Sequence, residues 1–210
     1  MDLLKENSDF VVCVKEAGLL SEGEGKNSLV TLLKEQTGSE IYPVHRLDKE
    51  TAGVMVYAKN SKTAAAFSKQ ITENKIKKRY YAIIKGCPEE KEGVFEDLLF
   101  RDKQKNKTYT VKRMRKGVRD AKLEYSVLKV NNGLSLVDIL LHTGRTHQIR
   151  VQFSSRNMPL YGDGKYGGGS GKLALFAYSL SFINPITNER ETYTALPNLN
   201  EEPWNRFNYQ

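Results

Sequence analysis

Segments of β character follow one another along most of this chain with few helices between them, and that order narrows the possible folds more than any other feature. Asp9–Lys15 is a short apolar run that reads as a strand. Gly53–Lys59 (GVMVYAK) and Lys78–Lys85, centred on RYYAII, read the same way. Further strands are expected at Ala121–Val130, Leu134–His142 and Leu173–Ile183. Helical periodicity appears in three places. Asn27 or Ser28 can cap a helix that presents Leu29, Leu32 and Leu33 and ends near Gly38. Ser61 can cap an alanine-rich helix with Ala64, Phe67, Ser68 and Ile71 on one face. Thr146–Ser155 reads as a short third helix. Parallel neighbours need long crossovers, usually helical, and most of these strands have none. The expected class is therefore a mixed α/β (α+β) fold: a largely antiparallel central sheet with flanking helices.

A chain of 210 residues suits one domain spanning 1–210, or two tightly joined lobes, with room for a sizeable core. No segment approaches the length of a transmembrane helix. The opening MDLLKENSDF lacks the basic-then-apolar order of a secretory signal, so a cytoplasmic location without membrane attachment is expected. Cys13 and Cys87 have no motif around them and read as reduced thiols.

The net charge of +8 is concentrated. Arg101–Lys122 holds ten basic residues against two acidic ones, and the rest of the chain balances. Such a segment on a neutral body is a footprint for a polyanion, although a solvated hairpin with no partner has the same composition.

Three motif-like stretches fail on inspection. GEGKN at Gly23–Asn27 and the later GGGSGKL lack the first glycine of a P-loop, and Asn27 or Leu173 stands where Ser or Thr is required. HRLD resembles a kinase catalytic loop but has none of its companions. His142 and His147 are not spaced to share a helical face, and no Cys cluster joins them, so structural or RNA-contacting histidines are expected, not a metal site.

Two segments concentrate reactive side chains. In PVHRLDKETAGVMVYAKN, Asp48 lies between the basic pair His45 and Arg46 and a Thr-Ala-Gly turn that feeds a strand. Alone, Asp48 reads best as a turn residue or a surface ion-pair partner. In LLHTGRTHQIRVQF, Thr146 can cap a helix, and Arg145, His147 and Arg150 crowd its start. Arg145 and Arg150 are suited to a phosphate and a carboxylate respectively, or to a plain basic turn.

HRLDKETAG, the KxYxA of Lys78–Ala82, TGRTHQIR and GDGKYG together resemble, in order and approximate spacing, the motif series of RluA-type pseudouridine synthases. The C-terminal LALFAYSLSFINPITNE is similar to that family's closing strand region, so the resemblance runs from about Asp9 to about Pro197. It implies an isomerase that converts uridine to pseudouridine in structured rRNA or tRNA, without cofactor, from a catalytic domain whose two halves flank an RNA cleft. It also implies residue roles. Asp48 matches the catalytic aspartate, Tyr80 the active-site tyrosine, and Arg150 the arginine that pairs with that aspartate. Arg46 matches the arginine that enters the RNA helix at the flipped base. His45, Arg145 and His147 then read as RNA-binding, and Lys112, Arg113, Arg115 and Lys116 as backbone contacts from the basic segment.

The chemistry fits these residue types. A carboxylate is a competent nucleophile toward an anomeric carbon, and a guanidinium keeps it ionised. The uracil must leave the stack before its glycosidic bond breaks, and a planar cation can fill the gap. Tyr80 and Tyr81 point to opposite faces of a strand, and the KxYxA register selects Tyr80.

The chain departs from the family at several positions. Ala52 stands where serine is common, VKEAG (Val14–Gly18) where NKPAG is frequent, Gln152-Phe153 where His-Leu is frequent, and Phe176 where histidine is frequent. No S4-like RNA-binding domain precedes the catalytic motifs, so RNA binding is expected from the catalytic domain, acting as a monomer. The competing reading is a non-catalytic RNA-binding protein on the same fold. Retention of Asp48, Tyr80 and Arg150 together favours the enzyme.

Overall fold

The computed structural model describes residues 2–207. Along the chain it contains β1 (Asp2–Glu6), β2 (Phe10–Lys15), α1 (Leu29–Thr37), β3 (Tyr42–Pro43), β4 (Ala52–Ala58), α2 (Ser61–Thr72) and β5 (Lys77–Lys85). These are followed by β6 (Glu92–Asp102), β7 (Lys107–Val111), β8 (Val118–Asn131), β9 (Leu134–Leu141), α3 (Gln148–Ser154), β10 (Leu175–Ile183) and β11 (Arg190–Thr194). A 3-10 turn at Trp204–Arg206 ends the described chain. The expected α+β class holds: strand predominates over helix, and every pairing with a resolved register is antiparallel except β4 with β10. No described helix is long and apolar enough to cross a membrane.

The chain divides into two compact units. One comprises the described residues up to Lys78 together with Phe176–Pro197; the other comprises Arg79–Leu175 and the described residues from Asn198 onward.

In the first unit the strand order is β1-β2-β4-β10, with β11 on β10 and β3 on β4. β2 and β4 are apolar almost without alternation because both of their faces are covered. Their register runs from Phe10 opposite Ala58 to Lys15 opposite Gly53. α2 lays Phe67 onto this sheet, where Phe10, Phe67 and Phe182 meet edge to face with centroids 5.1–5.9 Å apart. Val12, Val54, Val56, Ile76 and Leu180 complete that core.

Two capping expectations change here. Asn60, not Ser61, caps α2, because its Oδ1 accepts from the Thr63 amide at 2.9 Å. Ser68 faces solvent, and the buried face is Thr63, Phe67 and Gln70. Ser28 does precede α1, but its hydroxyl donates to the Gly23 carbonyl at 2.6 Å instead of accepting from the helix. Gly38 closes α1 in the left-handed conformation, as its position suggested.

In the second unit the order is β5-β9-β8-β6-β7. β6 and β7, passed over in the sequence because their alternation is interrupted by charge, form a hairpin from Leu98 opposite Val111 to Asp102 opposite Lys107. α3 packs Phe153 against Phe95 and Tyr125, with ring centroids 5.0 and 5.8 Å away. The Arg156 guanidinium covers the outer side of Phe95 at 3.9 Å. Both cysteines are free thiols, Cys13 buried and Cys87 exposed.

Gly53 lies opposite Ala177 where β4 pairs with β10. Its φ is +132°, and a Cβ there would lie 2.3 Å from the Ala177 carbonyl oxygen. Backbone strain and a main-chain clash coincide, so Gly53→Ala is expected to destabilise the protein by about 3 kcal/mol or more. Urea denaturation of both forms checks this; equal midpoints would show that the approach relaxes without cost.

Candidate active site

Asp48 sits half-buried on the segment between β3 and β4, and buried groups hold the backbone around it on several sides. The Leu47 amide donates to Ser21 Oγ at 3.1 Å, and Ser21 Oγ donates to the Leu47 carbonyl at 2.9 Å. Tyr57 Oη in turn donates to the Ser21 carbonyl at 2.8 Å. The Lys49 carbonyl accepts from the Gly18 amide at 2.8 Å and from Lys15 Nζ at 3.0 Å. The Thr51 amide closes the turn onto the Asp48 carbonyl at 3.0 Å. A loop tied this way presents its carboxylate from a fixed backbone.

Lys15 has no exposed surface. Its ammonium also donates to the Glu16 carbonyl at 3.0 Å. Burial pulls its pKa down to about 8, with the negative charges of Glu50 and Asp48 opposing the shift.

His45 plays a structural part. The Val56 amide donates to its Nε2 at 3.1 Å, which leaves the ring hydrogen on Nδ1. Burial, with Lys78 nearby, pushes its pKa down to about 3, so the ring is neutral. Nδ1 of His45 and Oγ1 of Thr51 are both buried without a hydrogen-bond partner. Arg46, by contrast, is exposed and pairs with Glu22 at 2.6 Å. An exposed pair of this kind contributes about 0–1 kcal/mol, so the guanidinium is released at little cost.

In the second unit, Tyr80 is buried on β5 while Tyr81 is half-buried, in line with their opposite faces. Arg150 lies on α3 with its side chain 8% exposed. Its Nε and Nη2 donate to the two carboxylate oxygens of Asp163, each at 2.7 Å. This paired geometry fixes the plane of the guanidinium as well as its position. Asp163 belongs to the GDGKYG loop (Gly162–Gly167), and just after it a Cβ on Gly168 would lie 1.7 Å from the Leu160 carbonyl oxygen.

The start of α3 is not capped by Thr146. His147 occupies the cap position with a left-handed backbone, and its ring Nδ1 lies 2.9 Å from Tyr166 Oη. Gln148 reaches back instead: its Oε1 accepts from the Arg145 amide at 3.0 Å and from Thr143 Oγ1 at 2.8 Å. Arg145 is exposed, with Nε donating to the Asp120 carbonyl at 2.9 Å.

The basic segment forms the β6–β7 hairpin end and the link to β8. Lys112, Arg113, Arg115 and Lys116 are all exposed on that link, with Arg115 lying over Phe100 at 5.1 Å. Among the described residues, no group of three or more His, Cys, Asp or Glu side chains is placed to hold a metal ion.

The groups that support the candidates are those the sequence reading missed. Lys15 carried one signal, a charge ending an apolar strand run. Asp163 and Tyr166 stood inside a quoted motif. Ser21 carried none.

The depressed pKa of Lys15 has a consequence for stability. Its folded value lies below its ordinary 10.5, so between about pH 8 and 10.5 the unfolded chain binds more protons than the folded one. Stability from this group therefore rises with pH across that window, as burial of a charged amine ceases to oppose folding. Replacing it in Lys15→Met is expected to remove the rise. Denaturation of both forms from pH 7 to 11 measures it; parallel curves would show that the ammonium is not buried as described.

The family description for RNA pseudouridylate synthases matches residues 9–155. An uncharacterised RNA pseudouridine synthase of Bacillus subtilis is 34% identical over 90% of this chain and 66% of its own length. The chain thus spans just under two thirds of that relative. A protein of Haemophilus ducreyi named tRNA pseudouridine synthase C is 32% identical over 93% of this chain and 90% of its own length. Among solved structures, human RNA pseudouridylate synthase domain containing 4 superposes with a TM-score of 0.78 at 25% identity, covering 94% of this chain and 89% of that one. The match extends over most of the chain and includes HRLD and TGRTHQIR, so the chain belongs to the RNA pseudouridylate synthase family, RluA type, whose members are isomerases of RNA uridine.

Proposed function

We propose that this chain isomerises uridine to pseudouridine in structured RNA, of transfer or ribosomal type, in the cytoplasm and as a monomer. The observation that carries the reading is Asp48: an HRLD carboxylate on a loop whose backbone is bonded on both sides of it, to Ser21 and to Lys15 and Gly18. Its family position is that of the catalytic aspartate.

Each proposed role follows from chemistry. The target uridine leaves the stack, and Arg46, released from its exposed pair with Glu22, fills the vacated space. Tyr80 packs against the extruded base from β5. The Asp48 carboxylate acts at the sugar, either by attack on C1′ or by way of a glycal, and in both routes the N1–C1′ bond breaks. The uracil turns, C5 bonds to C1′, and the C5 proton is lost to solvent. Arg150 provides the fixed positive charge of the set, its plane held by Asp163. Arg145, His147 and the four exposed cations of the β7–β8 link are the proposed contacts to RNA. His45, neutral and bound to β4, would support Arg46 rather than bind phosphate. The name of the Haemophilus ducreyi relative favours tRNA as the first substrate to test.

Asp48→Asn is expected to abolish turnover while leaving folding and RNA affinity near those of the wild type, since the amide is isosteric but not nucleophilic. The measurement is tritium release from RNA labelled at uridine C5 and taken from a strain lacking the gene. Substantial release by the variant would remove Asp48 from the role.

Phosphate contacts release counterions, so RNA affinity should fall steeply with salt. Replacing Lys112, Arg113, Arg115 and Lys116 with alanine is expected to weaken binding and flatten that dependence, with saturated turnover preserved. Identical salt slopes would show that the β7–β8 link does not meet the RNA backbone.

A further inference from the structure

Tyr166 is 7% exposed and touches more of the proposed machinery of the second unit than any role assigned so far requires. The Arg150 guanidinium lies over its ring at 5.2 Å, and the Lys107 ammonium of β7 over the same ring at 5.1 Å. Its amide donates to the Asp163 carboxylate at 3.3 Å and to the Asp163 carbonyl at 3.2 Å. Ser154 Oγ on α3 donates to its carbonyl at 2.7 Å. Its hydroxyl accepts from the Thr108 amide of β7 at 2.8 Å and meets His147 Nδ1 at 2.9 Å.

The hydroxyl is held from two sides. Burial pushes the phenol above its ordinary pKa, so it remains protonated. One lone pair is taken by the Thr108 amide, and a buried hydroxyl hydrogen needs an acceptor. His147 Nδ1 lies within hydrogen-bond distance of the hydroxyl. Thr108 is bound a second time, its Oγ1 donating to the Thr146 carbonyl at 2.9 Å. The basic hairpin, the left-handed turn at His147 and the Arg150–Asp163 pair are thus all attached to one side chain.

We propose that Tyr166 is the positioning residue for Arg150: its ring forms the floor on which the guanidinium lies, and its hydroxyl anchors that floor to β7 and His147. The proposal rests on the assignment of Arg150 to the catalytic set. It separates two jobs. Asp163 satisfies the charge and in-plane hydrogen bonds of Arg150, whereas Tyr166 restricts movement out of that plane, which two coplanar hydrogen bonds control poorly.

The test compares three variants. Tyr166→Leu removes floor and anchor; Tyr166→Phe keeps the floor; Leu99→Ala perturbs the same apolar cluster, which contains Leu99, Ala121, Val151 and Tyr166, and serves as the packing control. With C5-tritiated RNA from the deletion strain, Tyr166→Leu is expected to lower kcat by about tenfold or more while apparent KM stays within about threefold, the signature of a lost transition-state interaction. Tyr166→Phe should recover most of that loss, and Leu99→Ala should retain kcat despite a lower Tm. Wild-type kcat in Tyr166→Leu, or an equal loss in Leu99→Ala, overturns the proposal. A second readout needs no RNA: solvent exchange of the Arg150 Nε–H signal in 15N-labelled free protein. It is expected to quicken in Tyr166→Leu and stay slow in Leu99→Ala; equal protection in all forms overturns the positioning role whatever the enzyme's activity. A wild type that releases no tritium would instead sink the functional reading, and the exchange readout would still decide the role of Tyr166.

Discussion

A lysine ammonium with no exposed surface lies beneath the loop that carries Asp48, and much of the first unit is arranged to make that tolerable. Burying a charge costs several kcal/mol unless it is hydrogen-bonded and opposed by other charge. Lys15 has both: two backbone carbonyls within 3.0 Å, and the carboxylates of Glu50 and Asp48 near enough to oppose the fall in its pKa. The interaction works in both directions. The carbonyls that solvate the ammonium belong to the segments they tie together, so the Lys49 end of the loop is held by the group that needs it. Ser21 and Tyr57 hold the Leu47 end with neutral hydrogen bonds. Asp48 lies between two fixed points, so its carboxylate is presented from an ordered backbone.

The second unit solves the corresponding problem for a cation on a helix. Arg150 is buried on α3, and removing its partner would leave an uncompensated charge. The GDGKYG loop supplies Asp163, and the residue that follows the motif, Gly168, packs its backbone so closely on Leu160 and Asp163 that a side chain there would clash. The same loop brings Tyr166 under the guanidinium and out to the hairpin. Charge, plane and attachment therefore come from one short glycine-rich segment. That explains why it contains both rigid aromatic packing and residues with unusual backbone geometry.

The exposed groups differ in kind from these. Arg46 pairs with Glu22 at the surface, and the four cations of the β7–β8 link face solvent. Exposed ion pairs are weak and screened, so these cations are free to exchange partners, whereas the buried Arg150–Asp163 pair is held in one geometry. Of the three candidate arginines, Arg46 and Arg145 are exposed and Arg150 is buried.

Much of this was legible in the sequence. The strand-rich order set the fold class, because strands without crossovers pair antiparallel, and the β2, β4, β5, β8, β9 and β10 segments fell within a few residues of their expected places. HRLD with TGRTHQIR pointed to the family, and strand alternation put Tyr80 and Tyr81 on opposite faces, with the KxYxA register selecting Tyr80. Local rules failed where two neighbours could do the same work. Asn60 and Ser61 are both good caps, and Thr146 lost its place to His147 because Gln148 reaches back to satisfy the turn. The β6–β7 hairpin was hidden because charge on its exposed face masks the alternation. What only the tertiary structure decided is which buried side chains serve the reactive ones. Lys15 and Lys49 are far apart in sequence, as are Thr108 and Tyr166, and no periodicity links them. Spacing along a chain reports which face a residue occupies; which distant carbonyl, ring or carboxylate it meets there depends on how the strands and loops pack, and that is settled only once the chain has folded.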